Sequence, residues 1–98
     1  MDCAVVYTSA ALSDLSEITA FIAADNANAA KALASRLVDL ADSLQRMPER
    51  GRLVRGENDV RVLVLSPYLI FYRFVGGDKR VEVLRFWHGA RDPNTLAL

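Results

Sequence analysis

Apolar residues recur along this chain with two periods, and the change between them separates a helical half from a strand half. Cys3-Ala4-Val5-Val6-Tyr7 is a short apolar run with β-branched residues, which predicts a strand. Thr8 or Ser9 then offers a side-chain oxygen to cap a helix. From Ala10 the apolar positions are Leu12, Leu15, Ile18, Phe21 and Ile22, whose steps of three and four lay one stripe on a helix. Asp25-Asn26-Ala27-Asn28 breaks the pattern and supplies a cap for a second helix. Its stripe runs Ala30, Leu33, Leu37, Leu40, Leu44, Met47, and Pro48 stops it because proline cannot continue the hydrogen-bond ladder. So short a linker makes the two helices an antiparallel hairpin.

After Pro48 the period becomes two. Val60 to Leu65 reads as a strand, Ser66-Pro67 as a turn and Tyr68 to Val75 as a second strand. Gly76-Gly77-Asp78-Lys79 reads as a hairpin turn and Arg80 to Trp87 as the last strand. Glu49 to Asp59 is the one long loop, with Arg50, Arg52, Arg55, Gly51 and Gly56 in it. A loop with several arginines suits phosphates or acidic segments, or is simply a solvated connector. The order β-α-α-β-β-β predicts an α+β fold, a helical hairpin packed on a largely antiparallel four-stranded sheet. All of residues 1–98 fit one domain.

The hairpin register divides the strands into two faces. One carries Leu69, Phe71 and Arg73 with Glu82, Leu84, Phe86 and His88. The other carries Tyr68, Ile70, Tyr72 and Phe74 with Val81, Val83, Arg85 and Trp87. Both are apolar, yet two helices cover only one. The aliphatic and phenyl face of Leu69, Phe71, Leu84 and Phe86 is the one expected beneath the helices, with Arg73 and Glu82 pairing at its rim. The other face joins apolar bodies to polar tips, the character of a partner surface, and a second copy of the chain would cover it equally well.

Charge sharpens this division. Residues 1–45 carry two basic residues (Lys31, Arg36) and six acidic ones, a net of −4, and residues 46–98 carry ten basic and six acidic, a net of +4. The second half therefore suits an anionic partner, or the two halves are solvated faces of opposite sign. Cys3 is the only cysteine, which leaves no internal disulfide and reads as a small buried residue. No apolar run is long enough to span a membrane and the start does not resemble a signal peptide, so a cytoplasmic location is expected.

Recognisable catalytic motifs are missing. There is no phosphate-binding glycine loop, no dinucleotide fingerprint and no H-E-x-x-H. One His and one Cys do not make a zinc site, and no cofactor is expected. His88 leads into a Gly-Ala turn outside any nucleophile motif and reads as a structural or contact residue. Asp14 and Glu17, one helical turn apart, resemble a carboxylate pair, but solvated acids at a helix start are commoner.

Four blocks carry a family likeness. They are Ala11-x-x-Asp14-Leu15-x-Glu17-Ile18, Met47-Pro48-Glu49-x-Gly51-Arg52, Pro67-Tyr68-Leu69-Ile70-Phe71-Tyr72-Arg73 and His88-Gly89-Ala90-Arg91-Asp92-Pro93. Together, in this order, they resemble the RelE/ParE superfamily of bacterial toxins, and the last two look most like its ParE branch. The resemblance implies a type II toxin–antitoxin pair in which a ParD-like cognate antitoxin wraps the toxin as a hetero-oligomer. For the ParE branch it implies poisoning of DNA gyrase, a role in plasmid stabilisation, no catalysis by the toxin and no sequence-specific nucleic-acid binding. On that reading Arg61, Trp87, His88 and Arg91 are expected at the target, and Tyr72, Val83 and Arg85 at the antitoxin.

The RelE branch implies an alternative, ribosome-dependent cleavage of messenger RNA by a set of basic residues and a C-terminal tyrosine. Arg91 matches that set and Arg61 lies next to a matching position. Val60 and Val62 stand about where lysines are expected, Leu69 replaces an arginine, and the tail Thr95-Leu96-Ala97-Leu98 has no tyrosine. Proton transfer and charge stabilisation are each worth roughly two to four decades in rate, so these departures favour gyrase over RNA. A third alternative is a non-toxic module that only binds its antitoxin.

Overall fold

The computed structural model describes residues 2–92 and 95–98, so the Pro93 of the last block lies outside the described residues. Strand β1 is Ala4–Tyr7, followed by helices α1 (Ser9–Ala23) and α2 (Ala27–Asp42). Strands β2 (Arg52–Leu53), β3 (Val60–Leu65), β4 (Tyr68–Val75) and β5 (Arg80–His88) complete the fold. The expected α+β layout forms, with one addition. Arg52–Leu53 pairs antiparallel with β3, so part of the long loop becomes a fifth strand.

The sheet order is β1-β5-β4-β3-β2. Pairing is antiparallel except that β1 runs parallel to β5. The last strand therefore lies inside the sheet, next to the first. The helical hairpin carries the chain across the sheet between β1 and the β2–β5 meander.

Local chemistry explains the helix ends. Thr8 caps α1 by accepting from the Ala11 N–H at 3.0 Å, and Asn26 caps α2 by accepting from the Ala29 N–H at 3.0 Å. On α2 most of the expected stripe holds: Ala30, Leu37 and, just beyond, Leu44 are buried, Leu33 and Leu40 are partly buried, and Ala41 joins them. Leu37 and Leu44 are fully enclosed, each worth about 1.5–3 kcal/mol over exposure. Met47 falls outside the helix and is exposed. On α1 the stripe is rotated from expectation. Ala11, Asp14, Leu15 and Ile18 face inward, while Leu12 and Phe21 stay in solvent.

The expected choice of sheet face is also overturned. The helices cover Ile70, Tyr72, Val81, Val83 and Phe86, not Leu69, Phe71 and Leu84. Two features account for this. A register shift between Phe71 and Tyr72 leaves Leu84 as an extra residue in β5, so the alternation reverses there. Val83 then pairs with Tyr72 but Phe86 with Ile70, and all four meet the helices. In addition, the polar tip of Tyr72 is satisfied inside: its hydroxyl accepts from the Gly51 N–H at 2.8 Å. Gly51 is required there, since a Cβ would stand 2.8 Å from the Tyr72 ring and from the Val62 carbonyl.

The other face holds a second cluster of Val60, Val62, Phe71, Leu84 and Trp87, with Val54, Leu69 and Leu96 packed on it. Arg73 and Glu82 approach to 4.0 Å, the pairing expected at the rim. Cys3 is a buried free thiol.

Candidate functional site

β1 ends at Tyr7, so the outer edge of β5 loses its neighbour after Val83. The start of α1 takes over. The Thr8 N–H donates to the Val83 carbonyl at 3.0 Å, and its hydroxyl donates to the Leu84 carbonyl at 2.9 Å. Asp14 then accepts from the Phe86 backbone N–H at 3.2 Å. The same carboxylate takes the Arg85 guanidinium bidentately, at 2.6 Å to Nε and 2.9 Å to Nη2. That bond raises the pKa of Arg85, against the opposing effect of burial. Asp14 is thus a buried anchor and not a solvated helix-start acid, whereas Glu17 is exposed.

Beyond this anchor β5 presents Trp87, His88 and the turn to Arg91. The Arg91 guanidinium lies over the Trp87 ring, 4.0 Å from its centroid, and that of Arg85 lies 5.3 Å away. Trp87 is almost wholly buried, and its indole N–H has no hydrogen-bond partner among the described residues. Arg85 also donates to the Ala97 carbonyl at 3.2 Å, which ties the end of the chain to this surface. His88 packs edge-on against Tyr68 at 5.2 Å. Its Nδ1 accepts from the Ala90 N–H at 3.0 Å, which leaves Nε2 to carry the proton of the neutral ring.

A groove of about 490 Å³ opens between α1 and this end of the sheet, lined by Asp14, Glu17, Ile18, Phe21, Tyr68, His88 and Arg91. His88 and Arg91 come together in the groove, and Arg91 also covers Trp87, which does not line it. Arg61 does not join them. It sits on β3, where its guanidinium donates to the carbonyls of Gly51 at 2.7 Å and Glu49 at 3.2 Å and braces the loop. The residues expected at the antitoxin are corrected as well. Tyr72 and Val83 are fully buried beneath the helices, out of a partner's reach, and Arg85 is bound to Asp14. Sequence reasoning missed Phe21 and Tyr68 as groove residues. An exposed Phe was hidden because its spacing fitted the buried stripe.

Among the described residues no three His, Cys, Asp or Glu side chains converge to hold a metal ion. No helix among them is long and apolar enough to cross a membrane.

The profile of the ParE toxin of type II toxin–antitoxin systems, parDE, matches residues 5–93. The chain belongs to this toxin family. Toxin RelE2 of Caulobacter vibrioides is 40% identical to it over 87 residues, covering 89% of this chain and 96% of the relative. Among solved structures, the toxin resembles a chain of the chromosomal ParDE system of P. aeruginosa. That match has a TM-score of 0.73 at 22% identity, over 88% of this chain and 95% of the other. It resembles a chain of the RelBE2 toxin–antitoxin complex of Mycobacterium tuberculosis with a TM-score of 0.70 at 24% identity, over 90% and 99%. These structural likenesses establish the toxin's fold. Its surface chemistry comes from its own residues.

Proposed function

We propose that the toxin arrests growth by inhibiting DNA gyrase, without catalysis of its own, and that a ParD-like antitoxin neutralises it. His88 and Arg91 form the contact with the target, and the buried Trp87 ring holds Arg91 in place from behind. One observation carries the choice of target. Val60 and Val62, which stand about where the RNA-cutting branch would place lysines, are buried in the Trp87 cluster with Leu69 packed on them. A phosphate clamp cannot be built from side chains enclosed in an apolar cluster. The match to the ParE family supports the same reading, and an antitoxin partner agrees with the toxin–antitoxin assemblies named among the structural neighbours. The target places the toxin in the cytoplasm.

The test is a supercoiling assay with purified gyrase, plasmid and toxin. Cleaved plasmid accumulates when toxin is added, and release by the antitoxin restores supercoiling. Normal supercoiling in the presence of excess folded toxin would end this reading. A second reading, cleavage of translated messenger RNA, has in its favour the match of Arg91 to that branch and the name RelE2 of the curated relative. Primer extension on translated messages separates the two, since a gyrase inhibitor leaves those messages intact.

A further inference from the structure

Phe21 is the most exposed large apolar residue of the described chain, at 83%. It is not isolated. It lines the groove beside Ile18 and Tyr68, so apolar surface runs from the helix to the strand end. Contiguous apolar surface in a concave site is characteristic of a binding site. The polar groups of the groove then define what fits.

Arg91 and His88 supply hydrogen-bond donors. A guanidinium lying over an aromatic face keeps its N–H edge available for an oxyanion, and the Trp87 ring holds Arg91 in that way. The Ala90 N–H fixes Nδ1 of His88 as an acceptor, so Nε2 is the ring's donor. Two carboxylates line the same groove, Asp14, which is neutralised by Arg85, and Glu17, which opposes a second negative charge. A nucleic-acid backbone, with a charge at every phosphate, is therefore a poor occupant. A single carboxylate beside an apolar side chain matches the groove in both charge and shape.

We infer that this groove grips the target directly, taking a short protein segment of gyrase that presents an aromatic or branched aliphatic side chain next to one carboxylate. The inference rests on the gyrase reading above. The apolar side chain packs on Ile18, Phe21 and Tyr68, and the carboxylate bonds to the Arg91 guanidinium and His88 Nε2–H.

The experiment immobilises gyrase holoenzyme and titrates it with wild-type toxin, Phe21→Ala, Arg91→Gln and Leu12→Ala. Removing a central apolar anchor or a charged partner typically weakens binding about 10-fold or more, so Phe21→Ala and Arg91→Gln should each raise Kd by at least that factor. Leu12 is exposed on the same helix but outside the groove, and Leu12→Ala should bind like wild type. Phe21 is too exposed to support the fold, so an unchanged Tm in Phe21→Ala assigns its loss to the contact. If wild type binds gyrase and both groove variants bind equally well, the groove is not the grip and the inference falls alone. If wild type does not bind gyrase, the gyrase reading falls and takes the inference with it.

Discussion

Asp14 on α1 accepts three hydrogen bonds from β5: two from the Arg85 guanidinium, at 2.6 and 2.9 Å, and one from the Phe86 backbone N–H at 3.2 Å. One carboxylate thus fastens the first helix to the last strand. It also replaces the strand that β1 would have supplied had it been longer. Removing one member of a buried pair strands the other, which costs up to about 3–5 kcal/mol and less where, as for Arg85, the stranded group is partly exposed. Asp14→Ala should lose stability on that order in urea unfolding. The double variant Asp14→Ala/Arg85→Met should recover part of it, because no unpaired charge remains inside. Equal stability of the single and double variants would show that the ion pair is not what matters.

Tyr72 and Gly51 make a second coupled pair. Tyr72→Phe leaves the Gly51 N–H buried without an acceptor, a loss of about 1–3 kcal/mol. Gly51→Ala should be worse, and combining it with Tyr72→Phe should bring no rescue. The added methyl would still meet the ring edge and the Val62 carbonyl, each at 2.8 Å, and the carbonyl belongs to the sheet backbone. Thermal melts of the three variants test this. A double variant more stable than Gly51→Ala alone would mean that the hydroxyl was the only obstacle.

Alkaline pH should weaken the fold through Tyr7. Burial first, and then the hydrogen bond its hydroxyl donates to Asp42 at 2.6 Å, raise the Tyr7 pKa well above its ordinary 10.0. The folded state therefore holds its phenolic proton where the unfolded chain has released it. Unfolding free energy falls with pH wherever the unfolded state binds fewer protons, so this part of the stability is intact below pH 10.0 and declines above it. Tyr7→Phe should flatten the decline. Identical profiles for the variant and wild type would assign the decline to other groups, with Tyr72, whose pKa burial also raises, the first to test.

Making this surface basic should break the fold before it creates RNA chemistry. Val62 is 4% exposed, so Val62→Lys buries an ammonium or forces its neutralisation, an effective penalty of several kcal/mol. Leu69→Arg, at a half-buried position, should fold and still leave translated messages intact. Messages cut at codons by Leu69→Arg would show that the toxin lies one residue from nuclease activity.

Apart from the short β2 and Met47, the element order, the capping residues and the α2 stripe were legible, because each depends on neighbours within a few positions. Three features were not. The extra residue at Leu84 has no glycine or proline to mark it, yet it reverses the faces of half a strand. The partners of Asp14 lie 71 and 72 residues away, so its charge looked like a helix-start preference. Tyr72 was taken for a contact residue because it has a polar tip, but the loop glycine that satisfies that tip was out of view. At the site, the family resemblance brought Trp87, His88 and Arg91 into view, whereas Phe21 joins the groove only through the docking of α1. Arg61 shows the opposite error, a basic residue whose charge is spent on loop carbonyls.

The position of β5 between β1 and β4 also orders events during synthesis. Residues 4–7 leave the ribosome well before residues 80–83, the strand segment they pair with. Until that segment emerges Val5, Tyr7 and the inner side of α1 have no strand to pack on, and the Trp87–Arg91 surface does not yet exist. On the proposed reading, a growing chain therefore lacks its target contact until β5 has been made. Ribosome-bound chains ending before Arg80 should show no protease-resistant core, and chains carrying β5 clear of the ribosome should show one.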